Sequence, residues 1–371
     1  MLIITKAKGN IGGLARYSQA LAHSLQERGA SVRLLSENAA DGASLFPIDG
    51  SLLKKVLLII GNCIITRIAS RQIAIVHALD GWPYSIYAYA AVVGTRKHLF
   101  ITGVGTYTLR PLRHHLLGVL FRKIYDRADR VFAISRYVRD GILARAPQAR
   151  VDVVHLGVAT LPALSSGDEA DFERTYRLGN SYPLILTVGD IKDRKGQLDT
   201  LKAILLLEKE YPNIRYVVIG TDTDIHYVAQ MKLLATSHGQ PDVLHIISNN
   251  YDDRILSYFY DHCDVYALNS TNSPSFFEGF GLTIIEAASF GTPAVGSSNC
   301  GIEDAILDGI TGYLTKERDP MDIADKIRLI LTHKHVNFQK SAIKFSQGFS
   351  WDKMGRQYIT AYNDVLARPP K

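Results

Sequence analysis

The feature that most limits what this chain can fold into is a pattern that runs twice. A short apolar strand, Leu2 to Thr5, passes through the glycine loop Lys6 to Gly13 into a helix, Leu14 to Arg28, and then a strand, Ser31 to Ser36. Leu14, Tyr17, Leu21 and Leu25 keep helical spacing, and Gly29 ends the run. The same unit restarts at Leu184 to Val188. It crosses the loop Gly189 to Gly196, continues as a helix to about Glu210, and returns as the strand Tyr216 to Gly220. Strands and helices alternating in this way build parallel sheets covered on both faces.

Between the two runs, residues 160–181 change character. Pro162 and Ser165-Ser166-Gly167 precede an acidic patch, which reads as a linker carrying one short helix. The expectation is an α/β protein of two Rossmann-like domains facing an interdomain cleft. The first takes in residues 1–165, with a closing helix of about 351–371 packing back on it, and the second residues 182–350. At 371 residues the chain has room for both. The first run also predicts a helix over Leu52 to Ser70 and another over Tyr84 to Val93. Its further strands are Ile73 to Ala78, Leu99 to Thr102, Val131 to Ser135 and Val151 to His155. The second run adds strands over Leu244 to Ile247 and Val265 to Leu268, and helices over Arg254 to His262, Met321 to Leu331 and Trp351 to Leu366.

The early loop reads G-x-x-G-G, so the dinucleotide pattern G-x-G-x-x-G is absent. Gly12 and Gly13 still admit a ligand close to the backbone, or they simply make a tight turn. Arg16, on the first turn of the helix, faces an anion or solvent. Open parallel sheets bind ligands outside the carboxyl ends of their strands. There Asp80 and Trp82 follow the third strand, and Gly103 follows the fourth. His77, inside the third strand, reads more simply as a hydrogen-bonded structural group.

One stretch carries the densest chemistry, Phe276 to Val295 (FFEGFGLTIIEAASFGTPAV). Glu278 stands before a Gly279-Phe280-Gly281 turn. A short apolar helix from Leu282 to Phe290 follows, closed by Gly291 and Pro293, and Glu286 lies about one turn into it. The unpaired N–H groups and partial positive charge of a helix start bind anions, phosphate above all. One acid ahead of the turn, free N–H groups beyond it and a second acid on the helix can grip a sugar, a diphosphate and a ribose in turn. The plainer alternative is a helix that two glycines happen to precede.

The net charge of +6 hides an asymmetry. Residues 1–160 hold 21 Lys and Arg against 9 Asp and Glu, a balance of +12, and the remaining 21 bases and 27 acids give −6. An acidic partner for the first half follows. The segment Leu109 to Tyr125 sharpens it. Leu112, Leu116, Leu120 and Ile124 form an apolar stripe, and Arg110, Arg113, Arg122 and Lys123 supply charge. A basic amphipathic helix of this kind lies on an anionic membrane surface, or is a domain helix with a solvated basic edge. The three cysteines, Cys63, Cys263 and Cys300, are few and widely spaced, which predicts a reducing compartment. With no signal-peptide pattern at the start and no apolar run long enough to span a bilayer, the expectation is a cytoplasmic protein, peripheral on the inner face of the cell membrane.

Taken together, these residues resemble the retaining nucleotide-sugar glycosyltransferases of the GT-B fold, family-4 type. EGFGLTIIEA resembles the family's E-x7-E motif, ILTVGDIKDRKG its phosphate-gripping loop, Gly12-Gly13-Leu14-Ala15-Arg16 its N-domain glycine loop, and FSWDKMGRQYITAYNDVL its closing helix. The resemblance covers nearly the whole chain. It implies that Glu278 holds the transferred sugar, and that backbone N–H groups around Gly279, Phe280, Gly281, Leu282 and Thr283, with Gly189, hold the diphosphate. Glu286 would bind the ribose, and Lys195 with Arg194 would neutralise the departing phosphate. Gly12, Gly13, Arg16, Asp80 and Gly103 would line the acceptor and phosphate side. No cofactor or metal is implied, and the donor is a nucleotide-diphospho sugar. The first half's charge turns the acceptor toward a polyprenyl-linked or membrane-surface glycan, as in polysaccharide, O-antigen, lipopolysaccharide or glycolipid synthesis. Nucleic acid is not expected as a partner.

Two positions depart from the family pattern. Asp190 stands where a basic residue often follows the glycine, and Gly103-Val104-Gly105 stands where a histidine is common. They motivate the alternative of a catalytically degenerate protein of this fold that holds a nucleotide or glycan without turnover. A nucleotide-sugar epimerase of the same fold is a third reading, for which no full set of elimination carboxylates is visible.

Overall fold

The computed structural model describes residues 1–7, 13–37, 44–176, 182–250, 252–273, 275–333 and 337–368. Gly12 and Lys8 lie outside the described residues. The chain divides into two compact units, Met1–Gly157 with Ser350–Lys371, and Val158–Phe349.

The first unit runs β1 (Leu2–Ala7), α1 (Gly13–Gln26), β2 (Arg33–Glu37), α2 (Leu52–Ala69), β3 (Ile75–Leu79), α3 (Tyr84–Val92) and β4 (His98–Gly103). It continues with α4 (Thr106–Arg113), α5 (Leu117–Arg127), β5 (Arg130–Ala133), α6 (Arg136–Leu143) and β6 (Val151–Val153). The six strands lie in the order β2-β1-β3-β4-β5-β6, all parallel. β3 and β4 are buried along their whole length, which explains their nearly unbroken apolar sequences. The order reverses direction between β1 and β3, so this sheet's switch point lies outside Lys6 and Asp80.

The single helix expected over Leu109 to Tyr125 is two helices. α4 ends at Arg113, because His114 takes an extended backbone (φ −78°, ψ 132°). α5 restarts at Leu117, with the Gly118 N–H donating to His114 O at 2.7 Å. Pro111 inside α4 lacks the N–H needed to carry the helix on cleanly.

The second unit begins with α7 (Ser166–Tyr176), followed by β7 (Leu184–Val188), α8 (Gln197–Leu207), β8 (Arg215–Gly220), α9 (Ile225–Ser237), β9 (Leu244–Ser248), α10 (Asp253–His262) and β10 (Val265–Leu268). Then come α11 (Leu282–Ser289), β11 (Ala294–Ser297), β12 (Gly312–Thr315), α12 (Pro320–Thr332) and α13 (Phe338–Ser346). Its strand order is β12-β11-β10-β7-β8-β9, again all parallel. The direction reverses between β7 and β10. β11, β12 and α13 were not anticipated, since four-residue strands such as AVGS and GYLT are too short to show a period. The stretch expected to link the domains belongs to this unit. Ser257 Oγ donates to Pro162 O at 2.8 Å, and Phe172 and Tyr176 pack their rings on Tyr258 and Phe259 at 5.5 and 5.1 Å.

The last helix, α14 (Trp351–Leu366), returns to the first unit and packs on α1. A buried polar chain fastens it. Tyr362 Oη meets His77 Nδ1 at 2.7 Å, and His77 Nε2 meets Thr102 Oγ1 at 2.8 Å. Thr102 Oγ1 meets Tyr358 Oη at 3.0 Å, which in turn meets Tyr17 Oη at 2.6 Å. His77 is 0% exposed, and burial pulls its pKa down to about 3. The ring is therefore neutral, with one donor and one acceptor, and both are used. His77 is the hydrogen-bonded structural group, holding a C-terminal helix against a central strand.

Replacing Tyr362 by Phe strips one partner from the buried imidazole. The first unit is expected to lose about 1–3 kcal/mol, the penalty for an unsatisfied buried group. Urea unfolding checks this, and an unchanged midpoint would contradict it.

Candidate functional site

Two loops meet outside the switch point of the second sheet. The first leaves β7 as Gly189-Asp190-Ile191-Lys192 and tightens into a single turn over Asp193–Lys195, ended by Gly196 at φ 71°. A Cβ at Gly196 would lie 1.9 Å from Asn269 O, so only glycine lets this turn close on the end of β10. The second loop leaves β10 through Asn269 and Ser270, runs to Glu278, and enters α11 at Gly281 (φ 86°).

The loops are joined by charge. Lys195 Nζ lies 2.7 Å from Glu278 Oε2, and Arg194 Nη1 lies 3.3 Å from the same oxygen. Ser270 Oγ donates to it at 3.4 Å. Among the described residues no hydrogen bond falls on Oε1. Burial pushes the Glu278 carboxyl up, but the Lys195 and Arg194 charges outweigh it, and the net shift is downward. The carboxylate is therefore ionised at neutral pH.

Just past Glu278 the chain enters a helix whose start is left uncapped. No side chain caps α11, and the Ile284 N–H turns back to Gly281 O at 3.0 Å. The N–H groups of Leu282 and Thr283 have no partner among the described residues. The turn before them is braced from behind, since the Gly301 N–H donates to Glu278 O at 2.9 Å. A Cβ at Gly301 would lie 2.0 Å from Gly279 O. Tyr266 Oη donates to Thr283 Oγ1 at 2.6 Å and also accepts from the Val188 N–H at 3.2 Å, tying the helix start to β7. One turn on, Tyr260 Oη donates to Glu286 Oε2 at 2.9 Å. Tyr260 is fully buried, so Glu286 is oriented by a rigid partner.

Glu278, Lys195, Arg194, Gly189, Gly279, Phe280, Gly281, Leu282, Thr283 and Glu286 thus fall along two adjoining loops and one helix. Asp190 is less disruptive than its charge suggests, because its carboxylate pairs with Lys192 Nζ at 2.6 Å. Sequence reasoning missed Ser270, Tyr260, Tyr266 and Gly301. The rule that sheets bind ligands at strand ends pointed at Ser270, but nothing local marks the two tyrosines, which act from β10 and the helix before it.

The residues predicted for the acceptor side lie in the first unit. Asp80, at φ 84°, follows β3, and its Oδ1 accepts from the Gly81 N–H at 2.8 Å and Thr108 Oγ1 at 2.6 Å. Burial raises its pKa to about 6, against the pull of those hydrogen bonds. It lines a cavity of about 280 Å³ with Lys6, Glu37, Trp82, Tyr84 and Tyr107 among the other walls. Gly103 closes β4 and is buried, whereas Gly13 and Arg16 are exposed at the start of α1. Arg110, Arg113, Arg122 and Lys123 are exposed on α4 and α5, beside exposed Leu116, Val119 and Leu120.

Family models match most of the chain. One described as Glycosyltransferase Family 4 matches residues 11–160, and one described as Glycosyl transferases group 1 matches residues 168–347. Among curated proteins, the D-inositol 3-phosphate glycosyltransferase of Mycobacteroides abscessus is 28% identical over 256 residues, 68% of this chain and 55% of that protein. The match thus spans little more than half the relative's length. Among solved structures, a glycosyltransferase from Rickettsia africae superposes with a TM-score of 0.81 at 19% identity, covering 98% of each chain. Anabaena HepE, solved in complex with UDP and glucose, does so at 0.76 and 19%, also over 98% of each. At such identities the structures establish the fold.

Asp80 yields a test. Its folded pKa of about 6 lies above the model-peptide carboxyl, so the folded state holds the extra proton between about pH 4 and 6. Stability from this group is full below about pH 4 and is lost as pH rises through 6. The stability of the native protein minus that of Asp80→Asn is expected to fall by roughly 3 kcal/mol across that window. Chemical denaturation at stepped pH reads it, and a flat difference would contradict the buried-carboxyl account.

Proposed function

We propose, for a chain that belongs to the GT-B glycosyltransferases of family-4 type, that the second unit binds a nucleotide-diphospho sugar. The protein then transfers the sugar, with retention, to a lipid-linked or membrane-surface glycan. The observation that carries this reading is the pairing of Lys195 and Arg194 on Glu278, next to the unpartnered N–H groups of Leu282 and Thr283. Two cations and a helix start converge where a diphosphate needs charge, and a carboxylate stands where a sugar needs a hydroxyl acceptor.

In this reading the diphosphate sits on the start of α11, and its arrival draws Lys195 from Glu278 toward the β-phosphate. Glu278 then accepts hydrogen bonds from the sugar. Glu286, fixed by Tyr260, accepts from the ribose. The acceptor oxygen bonds to the anomeric carbon on the face the phosphate leaves. The bond to the β-phosphate oxygen breaks with its electron pair kept by phosphate, and that oxygen takes the acceptor's proton. The positive groups are in place before charge develops, which is how such sites lower a barrier. The +12 balance of residues 1–160 supports an anionic, membrane-borne acceptor. HepE was solved with UDP, so uridine diphospho-sugars are the first donors to try, and guanosine diphospho-sugars the second.

Glu278→Ala and Lys195→Ala are each expected to lower the turnover of a matched donor by roughly 10²–10³, the scale for deleting one transition-state electrostatic contact. Retained turnover in both variants would contradict the assignment, and tight nucleotide binding with no turnover in the native protein would favour the degenerate alternative. Glu286→Ala is expected to raise KM for the donor about tenfold, the loss of one charge-assisted hydrogen bond, with a smaller change in kcat. Steady-state kinetics with varied donor separates the two effects.

A further inference from the structure

Helix α2 is built the wrong way round for a helix that faces water. Its inward side carries Asn62 and Thr66, both 0% exposed. Asn62 Nδ2 donates to Phe46 O and to Tyr87 Oη at 2.9 and 3.1 Å, and Thr66 Oγ1 donates to Asn62 O at 2.7 Å. Its outward side carries Leu53, Leu57, Ile60, Ile64 and Ile68, which are 71%, 59%, 51%, 56% and 54% exposed. Steps of four, three, four and four residues set these five in one row, about 22 Å long at helical rise. A helix apolar on its outer face belongs under cover.

A cavity at the far end of the row indicates what covers it. It measures about 440 Å³, and its walls are Ile64 and Ile68 from the row, the bases Arg67, Arg71 and Lys97, and Thr95. Lys97 Nζ is anchored on Ser70 Oγ at 2.9 Å, and Arg67 on the carbonyls of Ala90 and Val93 at 2.8 and 3.1 Å. Residues 50–72 contain Lys54, Lys55, Arg67 and Arg71 and no acid. A second copy of the chain, laid antiparallel on the row, would bring Lys54 and Lys55 against Arg67 and Arg71, with no acid there to offset them. An anionic lipid surface has the opposite charge and an apolar layer at the depth the row needs.

We propose that the outer face of α2 docks the protein on an anionic phospholipid bilayer. The row from Leu53 to Ile68 seats among the acyl chains, and the cavity between Arg67, Arg71 and Lys97 holds a phospholipid phosphate. This deepens the membrane-borne acceptor reading and rests on it only for its purpose. No helix of the described residues is long and apolar enough to cross a membrane, so docking is lateral.

Flotation with vesicles tests the proposal, using phosphatidylcholine alone and phosphatidylcholine with about 30% phosphatidylglycerol, an anionic content of the kind that draws basic segments. The native chain is expected to float with the anionic vesicles and not with the neutral ones. Leu57→Glu/Ile60→Glu/Ile64→Glu is expected to weaken binding at least about tenfold, having lost three apolar anchors. Arg71→Gln/Lys97→Gln, which leaves the row intact, is expected to weaken it about tenfold or more. Flotation of either variant like the native chain overturns the proposal. So does a native dimer in sedimentation velocity that the triple glutamate variant dissolves, which would make a second copy the cover. Hydrolysis of a soluble nucleotide sugar, measured alongside, is expected to be unchanged in both variants. A native chain that floats yet never turns over donor leaves docking standing and removes the transferase reading instead.

Discussion

Two cations on one carboxylate oxygen is the interaction on which the second unit's site depends. Lys195 and Arg194 reach Glu278 because a one-turn loop from β7 closes on the end of β10, and Gly196 permits that closure. The pair is largely shielded, with side-chain exposures of 13% and 15% for Lys195 and Glu278. Electrostatic attraction is strong there and screened little. In the proposed mechanism that shielded pair is a store of charge complementarity, since an incoming diphosphate would compete for the cations and free the carboxylate for a neutral, hydroxyl-rich partner.

Around that pair the fold supplies direction more than chemistry. Parallel strands end together, so the loops that follow β7 and β10 are forced into one place at the switch point. Tyr266 ties Thr283 to Val188 and Tyr260 fixes Glu286, so α11 presents its N–H groups from a helix that cannot slide. In the first unit a comparable polar chain, from Tyr362 through His77 and Thr102 to Tyr358 and Tyr17, holds the chain's last helix on its first sheet. Both networks put tyrosine hydroxyls inside a core and satisfy them there.

Much of this was legible in the sequence, because its strongest signals are local. The alternation of strands and helices pointed to two parallel sheets, and the helix expected over Trp351 to Leu366 is α14 to its observed ends. The E-x7-E stretch and the Gly189–Gly196 loop marked the residues that meet. What escaped was non-local or too short. β11 and β12 are four residues each and show no periodicity. The Leu109 to Tyr125 stripe kept its helical spacing through a break that Pro111 and the extended His114 impose. Tyr260 and Tyr266 lie 26 and 17 residues from the groups they hold, so no window reveals them. The outward row of α2 lay in plain view as an apolar helix, but only the structure tells which of its sides faces the protein.

The most direct measurement of the central claim is a crystal structure with uridine diphosphate bound. The account predicts the β-phosphate within hydrogen-bond distance of the Leu282 and Thr283 N–H groups, with Lys195 Nζ moved off Glu278 onto a phosphate oxygen. A diphosphate bound elsewhere, with the Lys195–Glu278 pair intact, would contradict it.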